Sequence, residues 1–482
     1  MKKILLLLVF ISSVFLGSVA AQPAFAASEE ISVRSDNGYE ILGKIDGKIV
    51  LFRDRKTSFE ALAFDEKMQT SWKKELRLVG KNVKVLTAIG AKNDFCVFYQ
   101  ARQKGGQSSV RACKFDANAA VKDTVTVHDF GDVSSDAVRS EIFKSEDKNL
   151  ILLLTKKNNE DNIRNVTVFR IDSMKVVWQH SVVADGEIFD DPKHHTLLTN
   201  GGTAYFIFDL YNEQKKIKDH RFEILELNAA TRIPTIKIIE IPQILTFDSR
   251  FSFDNANQRL VAAGLITTDK YSNRASGYFF LSASLQDLKQ NIFVAEPFDA
   301  TTFSLVEGKE SKENKGILDI NVTTLALRKD GGLLLVCEKN RHEERRINSP
   351  RTAMDRGGSY FIYDHFYDNL LLLSFNPNGS THWKTILNKR QYSQDDDGSY
   401  SSYFLYKSPA GLRFLFNDDV KDNTTVSEYV VNTAGEFDHN SLLNTRGKRL
   451  GLRFREAVQT AANEVIIPSE YGYKLSITRF RY

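Results

Sequence analysis

The sequence has little cysteine, proline, methionine and tryptophan, and these shortages exclude several classes of protein. Three cysteines in 482 residues are too few for a disulfide-rich scaffold, and none has the spacing of a zinc site. Nine prolines and four methionines beside 33 phenylalanines and 17 tyrosines favour β-structure, because aromatic residues pack well on pleated sheets. The composition as a whole is that of an ordered globular chain.

The chain also lacks an excess of charge of either sign. It has 65 basic and 61 acidic residues, and the loss of Lys2 and Lys3 with a leader peptide would bring the two counts still closer. A nucleic-acid partner is therefore not expected, because nucleic-acid-binding domains carry clustered positive charge.

Long apolar runs are missing as well, apart from one near the N-terminus. Two lysines precede the apolar residues 4–16, and small residues follow up to Ala24-Phe25-Ala26. This pattern is typical of a secretory signal peptide, and its apolar part is too short to span a bilayer as a helix. We expect cleavage after Ala26, with Ala20 as the alternative, so that residues 1–26 are the signal peptide and residues 27–482 the mature domain.

The predicted signal peptide places the protein outside the cytoplasm. No cysteine lies near the cleavage site, so a lipoprotein anchor is not supported. We expect a protein of the periplasm or the extracellular space of a bacterium, without a transmembrane segment.

A four-strand unit recurs along the remaining chain and determines the expected fold. The clearest copy runs from Thr323 to Leu387 and reads TTLALRKDGG, LLLVCEKN, DNLLLLSFNPNG and STHWKTIL. Repeats of four short strands at this period predict an all-β protein with a single β-propeller. Eight four-stranded blades are expected, with seven as the first alternative and two β-sandwiches as the second. The third strand of each unit ends near Asp65, Asp116, Asp172, Asn228, Ser284, Asn376 and Asn432.

The last unit is incomplete, which indicates how the ring closes. Residues 457–482 supply only three strands. We expect the N-terminal segment Glu30–Arg34 to add the fourth strand, because this leaves no edge unpaired. Trp72, Trp178 and Trp383 lie early in fourth strands and are expected to pack between blades.

In layout the repeat resembles the quinoprotein-like and WD-like propeller superfamilies. The segment from Tyr367 to Tyr406, which includes DNLLLLSFNPNG and QYSQDDDGSYSSYFLY, is similar to secreted propeller-like proteins of the Bacteroidota. The chain is also similar in layout to an eight-bladed lipoprotein that helps to assemble outer-membrane barrels in other bacteria. The resemblance to quinoproteins would imply adjacent cysteines, a calcium site and tryptophan-rich docking motifs. The chain lacks adjacent cysteines and has three tryptophans, so we expect no cofactor and no enzymatic activity.

Two groups of residues are weak candidates for metal binding. Asp395 and Asp397 lie in a DDDGS segment that resembles a calcium loop in composition but lacks the other ligands of such a loop. His180, His194 and His195 lie near three aspartates, Asp185, Asp190 and Asp191. A solvated turn and a polar loop between blades are the preferred interpretations of the two groups.

The cysteines allow one disulfide. Cys96 and Cys113 lie on the second and third strands of one predicted hairpin. A hairpin centred on Lys104-Gly105 would place them opposite each other, within reach of a bond. A shifted register that leaves both as small buried residues is the alternative. Cys337 lies in the apolar strand LLLVCEK and is expected to be a buried free thiol.

The connections between strands suggest where a partner binds. Second-to-third loops and connections between blades are long, whereas first-to-second and third-to-fourth turns are short. In an up-and-down blade the two long types emerge on the same face, and binding residues favour loops on a rigid scaffold. We expect a partner on this face, at a long loop from Glu338 to Asp368 and the connection after it; a solvated loop without function is the alternative. The candidate binding residues are Arg345, Arg346, Arg351, Arg356, Tyr360, Tyr363, His365, Tyr367, Arg390 and Tyr392.

Three functions remain open from the sequence. The first is an exported, non-enzymatic binding or scaffold protein of the cell envelope, with another envelope protein or a glycan as its partner. The second is a carbohydrate-binding propeller, and the third is a quinoprotein-like enzyme or a lyase. Exposed aromatic rings around one pocket would favour sugar, a rim of mixed charge would favour protein, and an acidic central pocket would favour the enzyme.

Overall fold

Each repeat unit folds as one antiparallel sheet, and eight such sheets form a ring. The structure is a computed structural model. It describes residues 23–103, 106–158, 163–183, 194–231, 234–241, 243–267, 272–308, 316–347, 360–418, 420 and 425–482.

The strands follow one another along the chain, and each blade begins with its innermost strand. Two short N-terminal strands, β1 (Ala24–Ala27) and β2 (Ile31–Ser32), belong to the last blade. Blade 1 contains β3 (Asp36–Ile45), β4 (Lys48–Arg55), β5 (Phe59–Phe64) and β6 (Thr70–Leu76). Blade 2 contains β7 (Lys81–Gly90), β8 (Asp94–Arg102), β9 (Ser108–Asp116) and β10 (Val121–Gly131). Blade 3 contains β11 (Val138–Lys144), β12 (Leu150–Lys157), β13 (Ile163–Arg170) and β14 (Lys175–Val183). Blade 4 contains β15 (His195–Leu198), β16 (Ala204–Leu210), β17 (Arg221–Leu227) and β18 (Thr235–Glu240).

The second half of the ring has the same arrangement with one addition. Blade 5 contains β19 (Leu245–Asp254), β20 (Arg259–Thr267), β21 (Gly277–Ala283) and β22 (Ile292–Pro297). Blade 6 contains β23 (Ile320–Leu327), β24 (Leu333–Ile347), β25 (Tyr360–Phe375) and β26 (Thr381–Leu387), and β27 (Gln391–Gln394) also pairs with β25. Blade 7 contains β28 (Phe404–Ser408), β29 (Gly411–Asn417), β30 (Thr425–Val431) and β31 (Phe437–Asn444). Blade 8 contains β32 (Val458–Ala461), β33 (Glu464–Tyr471) and β34 (Lys474–Arg481).

In the residues that the structure describes, helical structure is confined to the connections. The helix α1 (Ala300–Glu307) lies between blades 5 and 6, and short 3₁₀ turns span Ser135–Ala137, Leu288–Gln290 and Phe454–Glu456. Among the described residues no helix is long and apolar enough to cross a membrane. The expected all-β propeller with eight four-stranded blades is confirmed.

The N-terminal segment closes the ring on the outer edge of blade 8. β1 pairs with β34 from Ala24 opposite Arg481 to Ala27 opposite Thr478, and β2 continues the pairing with Ile31 opposite Leu475. Between the two strands the Ser28 N–H donates to the carbonyl of Ile477 at 2.9 Å. The expectation that the N-terminus completes the last blade is confirmed, and the pairing starts earlier than the predicted Glu30. The predicted signal-peptide boundary after Ala26 therefore falls inside β1.

The polar residue after the third strand closes the next turn, as the repeat predicted. The Asp65 carboxylate accepts the N–H groups of Lys67 at 2.8 Å and Gln69 at 2.9 Å. Asn432 accepts the N–H groups of Ala434 and Glu436 in the same way, at 2.9 and 3.0 Å. A side chain that replaces a backbone acceptor makes such a turn specific for Asp or Asn.

The tryptophans pack between blades, as expected. The indole N–H of Trp178 donates to the carbonyl of Gly202 in the next blade at 2.8 Å, and that of Trp383 donates to the carbonyl of Thr433 at 3.0 Å. Trp383 also covers Gly435, where an added Cβ would lie 2.6 Å from the indole ring. Trp72 packs against the core between blades 1 and 2.

The candidate disulfide is not present, and the register of the hairpin agrees with the alternative of two small buried residues. Val97, not Cys96, lies opposite Cys113, so the register differs by one residue from the one that would pair the cysteines. A shift of one residue turns a side chain to the other face of a sheet. Cys96 therefore lies in the core between blades 2 and 3, and Cys113 in the core between blades 1 and 2. Both are free thiols, as is the buried Cys337, for which the prediction is confirmed.

A buried ion pair joins blade 6 to the connection that leads into blade 7. Lys389 Nζ lies 2.6 Å from Glu338 Oε1, and the two side chains are 0% and 1% exposed. Lys389 also donates to the carbonyl of Tyr367 at 3.1 Å, while the Ser402 hydroxyl donates to Glu338 at 2.6 Å. Burial lowers the pKa of the Lys389 ammonium, and the charge of Glu338 opposes that shift. The pair is stabilising only while both partners are present, because either charge alone would be buried without compensation.

We predict that Lys389→Met lowers the free energy of unfolding by about 3–5 kcal/mol, since it leaves Glu338 buried and unpaired. The matched control is Lys474→Met, which removes a pair with Glu30 at the same 2.6 Å but with side chains 57% and 49% exposed. It should cost about 0–1 kcal/mol. Adding Glu338→Gln to Lys389→Met should restore part of the loss. Urea denaturation followed by tryptophan fluorescence measures all three, and equal losses for the two lysine variants would contradict the account.

Candidate functional site

The two faces of the ring differ in their longest connections, as the sequence predicted, although the third-to-fourth connections 228–234 and 284–291 are longer than expected. First-to-second turns are as short as residues 46–47 and no longer than residues 145–149. The connections between blades include residues 298–319, which contain α1, residues 388–403, which contain β27, and residues 445–457. Second-to-third and fourth-to-first connections share one face, which we call the long-connection face; the opposite face is the short-turn face.

The segment expected as a long loop is largely a β-hairpin that projects from blade 6. Pairing of β24 with β23 ends at Lys339, whereas pairing of β24 with β25 continues to Ile347 opposite Tyr360. The third strand, β27, pairs with Asp364–Tyr367 of β25. We call residues 340–347, 360–367 and 391–394 the lobe. The prediction of a loop from Glu338 to Asp368 was wrong, because the segment FIYDHFY is rich in the aromatic and β-branched residues that favour strands although it has no long apolar run.

Asp364 is the centre of the lobe. Its carboxylate accepts two hydrogen bonds from the Arg345 guanidinium, at 2.9 and 3.1 Å, one from the Tyr392 hydroxyl at 2.8 Å and one from the Gln394 amide at 2.9 Å. These donors, of which Arg345 has the largest effect, hold the pKa of Asp364 at about 2. Arg345 and Tyr392, two of the candidate binding residues, therefore hold the three strands of the lobe together.

A histidine pair lies at the base of the lobe. His342 and His365 are directly opposite each other, and their Nδ1 atoms are 2.7 Å apart, so one ring donates to the other. Burial lowers the pKa of His342, and His365 and Arg455 lower it further. His365 and Tyr367 are only 7% and 5% exposed. These two candidate residues are thus mostly buried and not part of an open surface.

The other candidate binding residues divide into exposed ones and ones outside the described chain. Arg346, Tyr363 and Arg390 are exposed, and Tyr363 is 50% exposed. Arg351, Arg356 and the side chain of Tyr360 lie outside the described residues.

Neither candidate metal group forms a metal site within the described residues. The Asp395 carboxylate accepts the Tyr363 N–H at 2.9 Å, and the carbonyl of Asp397 accepts from Arg455 at 3.2 Å. Asp395 thus joins a turn to the lobe. His180 stacks on Trp178 with ring centres 5.0 Å apart, and His195 lies 4.8 Å from the ring of Phe251. Asp185, Asp190 and Asp191 lie outside the described residues.

Exposed aromatic side chains concentrate on the long-connection face. Phe361 and Tyr363 in the lobe are 41% and 50% exposed, and Tyr471 and Tyr473 at the second-to-third turn of blade 8 are 52% and 68% exposed. On the short-turn face Phe437, at the start of β31, is 43% exposed. Aromatic residues are enriched at protein interfaces, so this distribution makes the long-connection face the candidate binding face.

A cleft of about 540 Å³ opens between β23 and β28 beside the lobe. Three of its lining residues are basic: Arg250 from blade 5, Lys407 from blade 7 and Arg455 from the connection into blade 8. No sequence pattern indicated these three residues, because they are distant along the chain and belong to no motif. Only the ring geometry brings them together.

The low pKa of Asp364 makes the stability of the lobe depend on pH. Its folded-state pKa of about 2 lies below the ordinary 3.8, so the ionised carboxylate stabilises the lobe above about pH 4, and this contribution is lost as the pH falls toward 2. At pH 7, Asp364→Asn should therefore speed amide hydrogen exchange in residues 391–394. Asp438→Asn, an exposed substitution on β31, is the control and should change nothing there. Unchanged exchange in the Asp364 variant would show that the carboxylate does not hold the lobe together.

The comparison with known proteins adds likeness of architecture only. No protein-family model and no curated protein matches the sequence. Among solved structures, the WD40 domain of SCAP from fission yeast is 8% identical and matches 94% of this chain and 98% of its own with a TM-score of 0.40. BamB from Moraxella catarrhalis is 11% identical, with 95% and 100% covered and a TM-score of 0.37. A europium-containing methanol dehydrogenase is 9% identical, with 95% and 93% covered and a TM-score of 0.40. The propeller itself is established by the pairing of the eight sheets.

Proposed function

We propose that this protein is an exported, non-enzymatic binding or scaffold propeller of the bacterial cell envelope, with its partner on the long-connection face. The concentration of exposed aromatic side chains on that face, beside a lobe built from paired strands, is the observation that supports the proposal most directly. Rigid strands that present exposed rings lose little conformational entropy on binding.

Charge and ring exposure favour a protein as the partner. The strand β24 carries both signs of charge in its projecting part, where Arg341 pairs with Glu343 at 2.8 Å and Arg346 is exposed. Arginine and tyrosine are the residues most enriched in interface hot spots. By contrast, the rings of Tyr367 and Tyr403 beside the cleft are 5% and 6% exposed, so they offer no open face on which a sugar could stack. A glycan is the second candidate, supported by the exposed Tyr471 and Tyr473.

Export rests on the N-terminal sequence, and the fold is compatible with both predicted cleavage sites. Cleavage after Ala20 would leave β1 complete. Cleavage after Ala26 would remove most of β1 and the contact of Phe25 with Phe480, whose ring centres are 5.3 Å apart. The later site would still leave Ser28 and β2 bonded to β34.

Site-specific photocrosslinking in the native cell envelope tests the proposal. A benzoylphenylalanine at position 363 or 473 should form a crosslink to one envelope protein, because both side chains point into solvent on the long-connection face. The same group at position 437, which is similarly exposed on the short-turn face, is the matched control and should form none. The double variant Phe361→Ala with Tyr363→Ala should lower the affinity for the crosslinked partner by about tenfold, as expected for the loss of one interface hot spot. Crosslinks from position 437 alone would contradict the proposed face.

A further inference from the structure

The basic cleft between blades 6 and 7 has more positive charge than the protein itself neutralises. The innermost strands β23 and β28 form its walls, and the lobe residues Asn340, His342 and Tyr367 also line it. Its volume of about 540 Å³ is within the range of sites that hold small ligands or a few residues of a peptide.

Each of the three cations in the cleft lacks a carboxylate partner among the described residues, whose ion pairs include none of them. Within the described part of the chain, the Arg250 guanidinium donates two long hydrogen bonds, both of 3.4 Å, to the carbonyl of Val322. Arg455 donates to main-chain carbonyls and lies 5.4 Å from the centre of the Tyr367 ring. Lys407 is exposed and is bonded to Gln459 through its main chain.

The carboxylate of Glu338, the only acidic residue that the described lining contains, is already neutralised. It pairs with the buried Lys389 at 2.6 Å and accepts a hydrogen bond from Ser402. The excess positive charge of Arg250, Lys407 and Arg455 is therefore left for a ligand. Unpaired cations that line a low-dielectric cleft attract an anion more strongly than the same groups on an open surface.

The polar walls of the cleft distinguish between classes of anion. The hydroxyl of Tyr403 lies 2.6 Å from that of Thr323 and 2.9 Å from that of Thr324, so it is occupied, and its ring is buried. Sugars bind proteins largely by stacking on open aromatic rings, whereas of the phenylalanine and tyrosine side chains in the described lining, Tyr367 and Tyr403 are buried and Phe404 is partly buried. Three separate cations along a cleft suit several carboxylates spaced along an extended chain, since guanidinium groups bind carboxylates in a bidentate manner.

We propose that this cleft binds an acidic, extended peptide segment of the partner through Arg250, Lys407 and Arg455. The inference rests on the proposed function, because it assigns a chemistry to part of the partner held on the long-connection face. The cleft adds electrostatic specificity beside the lobe.

Titration calorimetry of the whole protein with hexaglutamate tests the proposal. Binding should be measurable at low ionic strength and should weaken as salt is added, because salt screens exposed charges. Arg250→Ala, Lys407→Ala and Arg455→Ala should each weaken hexaglutamate binding by about tenfold, the loss of one charged hydrogen bond. Lys67→Ala, an exposed lysine on the short-turn face, is the matched control and should bind as the unaltered protein does. Hexaglutamine should not bind.

The remaining outcomes separate this inference from the proposed function. Absence of hexaglutamate binding, equal binding by the triple variant, or binding of polygalacturonate in preference to hexaglutamate would overturn the assignment of an acidic peptide. The triple variant should also lose most of the photocrosslink from position 363. If the crosslink from position 363 persists in the triple variant but is lost when Phe361→Ala is introduced, the cleft assignment fails while the proposed function stands. If position 363 gives no crosslink in any variant, the proposed function fails as well.

Discussion

Pairing of the N-terminal strand with β34 is the constraint on which the ring depends. Blade 8 has only three strands from the C-terminal repeat, and β1 and β2 provide the rest. The two faces of β34 serve two cores at once: Phe480 packs between blades 7 and 8, and Leu475 and Ile477 pack between blades 8 and 1. Loss of the N-terminal strand would expose unpaired backbone groups beside both cores. Since every blade packs on two neighbours, a weakness at this joint is transmitted to the whole ring.

A closed ring provides a rigid base, and this protein places its longest connections on one side of it. Stability does not require long connections, because the short-turn face closes its hairpins with turns such as residues 46–47 and 409–410. On the other side the chain forms a lobe whose strands are held by Asp364 and whose base is held by the buried pair of Lys389 and Glu338. The lobe is thus an extension of blade 6 and presents its exposed rings at defined positions, which suits binding better than a loose loop would.

Local patterns in the sequence were sufficient to predict the fold. A few neighbouring residues encode the turn chemistry of Asp65. The period of the repeat and the missing strand of the last unit follow from comparing successive segments of the sequence. Prediction failed for features that depend on the register of paired strands or on contacts between residues far apart in the sequence. The observed register of Cys96 and Cys113 differs by one residue from the register that would pair them. No local pattern in the sequence indicates this shift. The basic cleft was missed because residues from different blades meet only once the ring has closed.

Closure of the ring can be tested by a crosslink designed from the register. Ser32 lies opposite Lys474, and both side chains are exposed. Cysteines at these two positions should therefore form an intramolecular disulfide. Mass spectrometry of the unreduced digest would detect it as a disulfide-linked peptide pair. Cysteines at Ser32 and Leu475 should form none, because neighbouring residues of a strand point to opposite faces. A disulfide from the first pair alone is the result that the closed ring predicts. A disulfide from the second pair, or from neither, would contradict it.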